Sequence, residues 1–157
     1  MSNTVITISR QYGSGGRELS EILAKKLGVK LYDRQIIHMA AAMLGIGDLT
    51  DESLRELENK VLPLSSAFMP FYSFGSHAGP NVNTELFLAE SKVIHQLVND
   101  GPCVILGRCA DYILSEQENH YSFFIYADDD YRASRGKTTY AGKSLKELNA
   151  ADGGDRQ

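Results

Sequence analysis

Between Val5 and Leu27 the chain reads VITISRQYGSGGRELSEILAKKL: a β-branched strand, a turn holding three glycines, and an amphipathic helix. No other stretch limits the fold as tightly. Val5 to Ser9 suits a strand buried on both faces. Leu19, Ile22, Leu23 and Leu27 fall at helical spacing, and Gly28 is a natural stop. Gly13, Gly15 and Gly16 let backbone N–H groups approach an anion closely, and a helix starting near Gly16 adds its positive end. The layout is that of a phosphate-binding loop, with no lysine where such a loop normally carries one.

The rest of the chain extends the same alternation. Val29 to Tyr32 reads as a short strand reaching Asp33, which is placed to cap a helix carrying Ile36, Ile37, Ala40, Met43 and Leu44 and closed by Gly45. A further helix is expected at about Asp51 to Leu62, where Pro63 ends it. Residues 67–83 mix aromatics with glycine and proline without a period, which fits a mobile loop or small lid and equally fits loop aromatics packed as a satellite cluster. A helical stripe returns at about Thr84 to Asn99, and Gly101-Pro102 turns the chain into the strand Cys103 to Leu106. A last apolar run, Tyr121 to Ala127, precedes a polar tail. Strands alternating with helices predict an α/β fold, a doubly wound parallel sheet with helices on both faces. Ligands in such sheets bind beyond the carboxyl ends of the strands. The segments falling there are Arg10 to Gly16, Asp33, Gly107 to Asp111, and Asp128 onward.

At 157 residues the chain is expected to form a single domain, 1–157. A net charge of −4 argues against broad nucleic-acid or membrane-surface binding, so any phosphate site must be a local cluster of positive charge. Cys103 and Cys109 lack the partners for a zinc site or a disulfide framework, and read as two idle thiols in a reducing compartment. No signal peptide or membrane span is visible, and a cytoplasmic location is expected.

Two nucleotide loops compete for the glycine stretch. In a dinucleotide-binding loop, Gly13-Ser14-Gly15 would begin the motif and Asp33 would meet a ribose. The third small residue, however, would fall on Glu18, which suits neither a close helix–sheet contact nor a neighbouring pyrophosphate. An oxidoreductase is therefore disfavoured. In the P-loop pattern GxxxxGK[ST], the first glycine falls on Arg10 and the lysine on Gly16, with Arg17 one place later and Glu18 after it. The spacing fits and the chemistry is half present. An ordinary strand–helix turn stays open as the third reading.

Four blocks, ITISRQYGSGGRELSEILAKKLG, LYDRQII, VILGRCADYIL and FFIYADDDYR, follow one another along nearly the whole chain. Together they resemble the cytidylate kinase-like family, a branch of the P-loop nucleoside monophosphate kinases. The resemblance implies a P-loop NTPase-type sheet, small mobile monophosphate-binding and lid segments, and phosphoryl transfer from ATP to CMP, dCMP or a related monophosphate with Mg²⁺. It implies small-molecule nucleotide partners and neither nucleic acid nor membrane.

By the same resemblance, Arg10, Gly13, Ser14, Gly15, Gly16, Arg17 and Glu18 form the donor-phosphate loop. The guanidinium of Arg10 or Arg17 would supply the missing lysine charge. Asp33 resembles the acid opening the monophosphate segment, although an N-cap role fits as well. Arg108 matches the arginine of a glycine–arginine pair that grips the acceptor phosphate, with Asp111 nearby; a structural pair of Arg108 with Asp111 or Asp33 is the alternative. Arg132 and Arg135, in a lid-like segment 128–157, resemble arginines that stabilise the transferring phosphoryl group. One turn apart, they also fit a solvated helix face. Arg17, Arg132 and Arg135 are thus the expected catalytic residues, and no side chain is assigned to a metal.

A family member would be expected to continue past the lid with another strand and helix, so a missing final strand and helix is expected here. An exposed sheet edge would favour self-association, as a homodimer. The rival to a kinase is a nucleotide-sensing module that binds without turnover, which the missing lysine favours.

Overall fold

A computed structural model describes residues 3–46, 50, 82–139, 144 and 146–147. The helix expected over Asp51 to Leu62 and the loop expected from residue 67 to 81 lie outside the described residues. The elements are β1 (Val5–Arg10), α1 (Gly16–Leu27), β2 (Lys30–Tyr32), α2 (Gln35–Met43), α3 (Val82–Asp100), β3 (Cys103–Leu106), α4 (Ala110–Ile113), β4 (His120–Ile125) and α5 (Asp129–Thr138). The chain divides into two compact units: Met1–Asp33 with His95–Gln157, and Arg34–Ile94.

The first unit holds a parallel sheet in the order β2-β3-β1-β4. Val5 to Ile8 pair with Cys103 to Leu106 on one side, and Val5 to Arg10 with His120 to Ile125 on the other. The connection leaving β1 leads to β2 and the one leaving β3 leads to β4, so the chain changes direction at the neighbouring ends of β1 and β3. That is where doubly wound sheets take their ligands.

The β-branched run works as its composition suggests. Ile8, Val104 and Leu106 meet Ala24 of α1 in one cluster, with Ile6, Leu23, Val29, Leu31 and Ile125 packed around it. Val5, Thr7, Cys103 and Ile105 point the other way and are equally buried, so both faces of the central strands are covered. β4 pairs with β1 and leaves Tyr121, Phe123 and Phe124 half exposed. α1 ends at Gly28, whose left-handed backbone returns its N–H to Ala24 and Lys25. The buried stripe of α3 runs through Leu86, Ala89, Val93, Ile94, Leu97 and Val98.

In the second unit, α2 buries Ile36, Ile37, Ala40 and Ala41. Arg34, at the start of the helix, has helical backbone angles and no side-chain cap, and the carboxylate of Asp33 just before it meets Arg17. α3 begins at Val82, so residues 82 and 83, expected at the end of the loop, are helical. The four-residue α4 has no counterpart in the sequence-based reading, because one turn carries no periodicity. Among the described residues, no helix is long and apolar enough to cross a membrane.

Cys103 lies in the covered sheet, and burial pushes its thiol up to about 11. A raised thiol pKa favours the folded state below the ordinary value and loses that advantage as pH rises toward 11. Thiol-alkylation at pH 8 is therefore expected to leave Cys103 unmodified until the protein is unfolded. Labelling of Cys103 in the native protein, located by peptide mass, would contradict this placement.

Candidate phosphate-binding site

Gly13 and Gly15 both have φ +84, and Gly15 is the N-cap of α1. The N-cap residue, a glycine, has no side chain to cap the helix, so the first-turn N–H groups face the loop without an acceptor from that position. Ser14 N–H donates to Gln11 O at 3.1 Å and Gln11 N–H to Ile125 O at 2.8 Å, which fixes the loop against the ends of β1 and β4. Ser14 is 8% exposed, and its buried Oγ has no hydrogen-bond partner among the described residues. Leaving a buried hydroxyl unpaired costs free energy that a bound anion would return.

α5 does not project as a solvated face. Arg132 is 1% exposed; its Nε donates to Tyr12 O at 2.8 Å and its NH1 pairs with Asp129 at 3.5 Å. Arg135 donates to Glu18 in the first turn of α1 and stacks over the Tyr131 ring at 5.8 Å. A side chain at Gly15 would lie 3.5 Å from the Tyr131 hydroxyl. The segment expected to form a lid thus braces the glycine loop. The solvated-face alternative is corrected, because a guanidinium that can reach a loop carbonyl buries its stem to do so.

Arg17 lies on the outer side of α1, 55% exposed, with Nε 3.5 Å from Glu21 and NH2 3.5 Å from Asp33. Two expected site residues, Arg17 and Asp33, are therefore brought together, and each is occupied by the other.

At the end of β3, Gly107, Arg108 and Cys109 have φ of +72, +61 and +52. Three successive left-handed residues are costly for arginine and cysteine, and such outliers cluster at ligand sites. The turn is held by Gly107 N–H to Ile8 O at 2.9 Å and Ala110 N–H to Gly107 O at 3.2 Å. Asp111 sits half-buried in the first turn of α4.

Arg10 connects the two loops. A Cβ built on Gly16 would stand 2.6 Å from Arg10 Cβ, and one on Gly107 2.5 Å from its NH1. Its side chain runs from the end of β1 over Gly16 to Gly107. The sequence-based reading placed Gly107 at the ligand end of the sheet but gave no individual role to Gln11, Tyr12 or Tyr131, whose roles arise from backbone atoms or from contacts across the sheet. Among the described residues, no three His, Cys, Asp or Glu side chains gather as a metal site.

A family model described as cytidylate kinase-like matches residues 5–151. The chain belongs to the cytidylate kinase-like family. Its likenesses among solved structures agree on the fold. An uncharacterized protein from Eubacterium ventriosum ATCC 27560 matches with TM-score 0.60 and 21% identity, covering 94% of this chain and 68% of that one. A gluconokinase from Sinorhizobium meliloti 1021 matches with TM-score 0.57 and 13% identity, covering 98% and 76%. No curated protein matches. The parallel sheet with its helices is an α/β fold and fits the P-loop kind.

Proposed function

We propose that the chain is a nucleoside monophosphate kinase that transfers the γ-phosphoryl group of ATP to CMP, dCMP or a related monophosphate. The observation that carries this reading is the orphaned Ser14 hydroxyl inside the glycine loop, set at the same carboxyl end of the sheet as the strained Gly107–Cys109 turn. One loop suits the donor phosphates and the other presents Arg108 to the acceptor phosphate.

In the reaction an acceptor phosphate oxygen forms the new bond to the γ-phosphorus, the bond to the β–γ bridging oxygen breaks, and ADP leaves. Loop amides and the helix N-terminus hold the donor, and Arg108 orients the acceptor. Arg132 and Arg135 act by fixing the loop and the first turn of α1. Arg135 already offsets the charge of Glu18 through the Glu18 Oε1. The Glu18 Oε2 is buried without a hydrogen-bond partner among the described residues, which fits Mg²⁺ held mainly by phosphates and water with one carboxylate. Bound there, Mg²⁺ would neutralise charge on the phosphates. The reading carries the expectation of a cytoplasmic protein, where ATP and monophosphates meet.

A second reading, nucleotide sensing without turnover, is favoured by one observation: Arg17 is already paired with Glu21 and Asp33. A coupled ADP-release assay across the monophosphates, run beside calorimetric ATP titration, separates the two. Turnover supports the kinase; saturable ATP binding with no turnover for any acceptor supports the sensor. Arg108→Ala is expected to weaken CMP binding by about 1.5–3 kcal/mol, the scale of a charged hydrogen bond, with ATP affinity little changed. Normal CMP binding with lowered thermal stability would instead make Arg108 structural.

A further inference from the structure

We propose that the loop's cation has changed places: Arg10, at the first position of the P-loop pattern, supplies the charge that a lysine at position 16 supplies in the common motif. This rests on the kinase reading for its ligand, the polyphosphate end of a nucleotide, but its steric half stands alone.

In GxxxxGK[ST] the first residue is small and the seventh carries the cation. Here the first is Arg10 and the seventh is Gly16, so side chain and hydrogen have been exchanged between the two. The structure gives the physical reason. A Cβ at position 16 would lie 2.6 Å from Arg10 Cβ and 3.1 Å from its Cγ. The Arg10 Cβ is fixed by the strand backbone, so the closer of the two contacts cannot be relieved by rotating the side chain. The volume through which a side chain at 16 would leave the helix is thus filled by the stem of Arg10. One position can carry a side chain only if the other does not.

Gly107, glycine for its left-handed backbone, lies at the other end of the same side chain. A Cβ at Gly107 would lie 2.5 Å from Arg10 NH1. The guanidinium therefore reaches across from β1 to the turn that begins at the end of β3, on the crevice between the two loops. Arg17, the rival cation, is directed along α1 to Glu21 and across to Asp33. The orphaned, 8% exposed Ser14 hydroxyl in the same loop independently points to a ligand there.

A planar, exposed guanidinium lying beside Gly107 can bridge oxygens on donor and acceptor phosphates, which a lysine confined to the donor loop cannot. Arg10→Lys should therefore retain ATP binding better than it retains turnover.

The test is a melting and titration cycle on the full chain: Arg10→Gly, Gly16→Lys, their double variant, Arg10→Ala, Arg10→Lys, Gly16→Ala and Arg17→Ala, with ATP and inorganic pyrophosphate as probes. Gly16→Lys and Gly16→Ala are expected to melt below wild type. The Arg10→Gly/Gly16→Lys double variant should recover most of the loss seen in Gly16→Lys, and its ATP affinity should return to within tenfold of wild type. Arg10→Ala should lose at least tenfold in ATP affinity, and more than Arg17→Ala loses.

The exchange is overturned if Gly16→Ala and Gly16→Lys melt like wild type, or if removing Arg10 fails to relieve Gly16→Lys. The charge assignment is overturned if Arg17→Ala loses more ATP affinity than Arg10→Ala. A wild-type chain that binds neither ATP nor pyrophosphate removes the kinase reading, and the role of Arg10 as its cation with it; the melting cycle then still decides the steric exchange.

Discussion

Arg132→Ala is expected to destabilise the protein by about 3 kcal/mol and to abolish measurable ATP binding. The side chain is 1% exposed, so truncation leaves a void in a packed region and strips the Tyr12 carbonyl of its Nε donor. Asp129 loses its partner as well, but that carboxylate is 68% exposed and contributes little. The glycine loop then loses the tie at Tyr12, one residue before Gly13. Urea unfolding and ATP calorimetry on the same variant distinguish this from the role the family resemblance implies. An arginine acting only on the transferring phosphoryl group would lose turnover while stability and ATP affinity stayed near wild type. That outcome would refute the bracing role.

Leu106→Ala is expected to cost about 3 kcal/mol, within the usual range for a buried leucine, and to weaken CMP binding at the same time. Leu106 is fully buried beside Ile8, Ala24 and Val104. It is also the last residue before the left-handed turn, whose strain persists only while the strand end beneath it is rigid. Phe124→Ala is the control: at 55% exposure it should cost under about 1 kcal/mol and leave CMP binding unchanged. Equal losses for the two variants in urea melts would contradict the described core.

These residues show which parts of the protein can be read from the chain. The strand–turn–helix at Val5 to Leu27 is local: β-branching, glycine and a 3.6-residue stripe act within one stretch. The same holds for the buried run Cys103 to Leu106 and the stop at Gly28. Asp33 was legible as a carboxylate just before a helix, but its ion-pair partner, Arg17, lies on another element and was not. Arg132 was visible as a charge one turn from Arg135, but its burial depends on where α5 meets the glycine loop. The reach of Arg10 was least legible. It depends on the fold of the glycine loop, which sets Gly16 against Arg10, and on parallel pairing of β1 with β3, which brings the distant position 107 to the other end of the same side chain.

The left-handed turn after β3 sets two kinds of selection against each other. Arg108 occupies a backbone conformation, φ +61, that glycine would adopt with less strain. A library of variants screened only for heat resistance would drift toward glycine at that position and shed its guanidinium as a side effect. If Arg108 grips the acceptor phosphate as proposed, a library screened for monophosphate binding would restore arginine and accept the lower melting point. The conflict between the two screens makes position 108 a native reporter, one that separates what the backbone prefers from what the ligand requires.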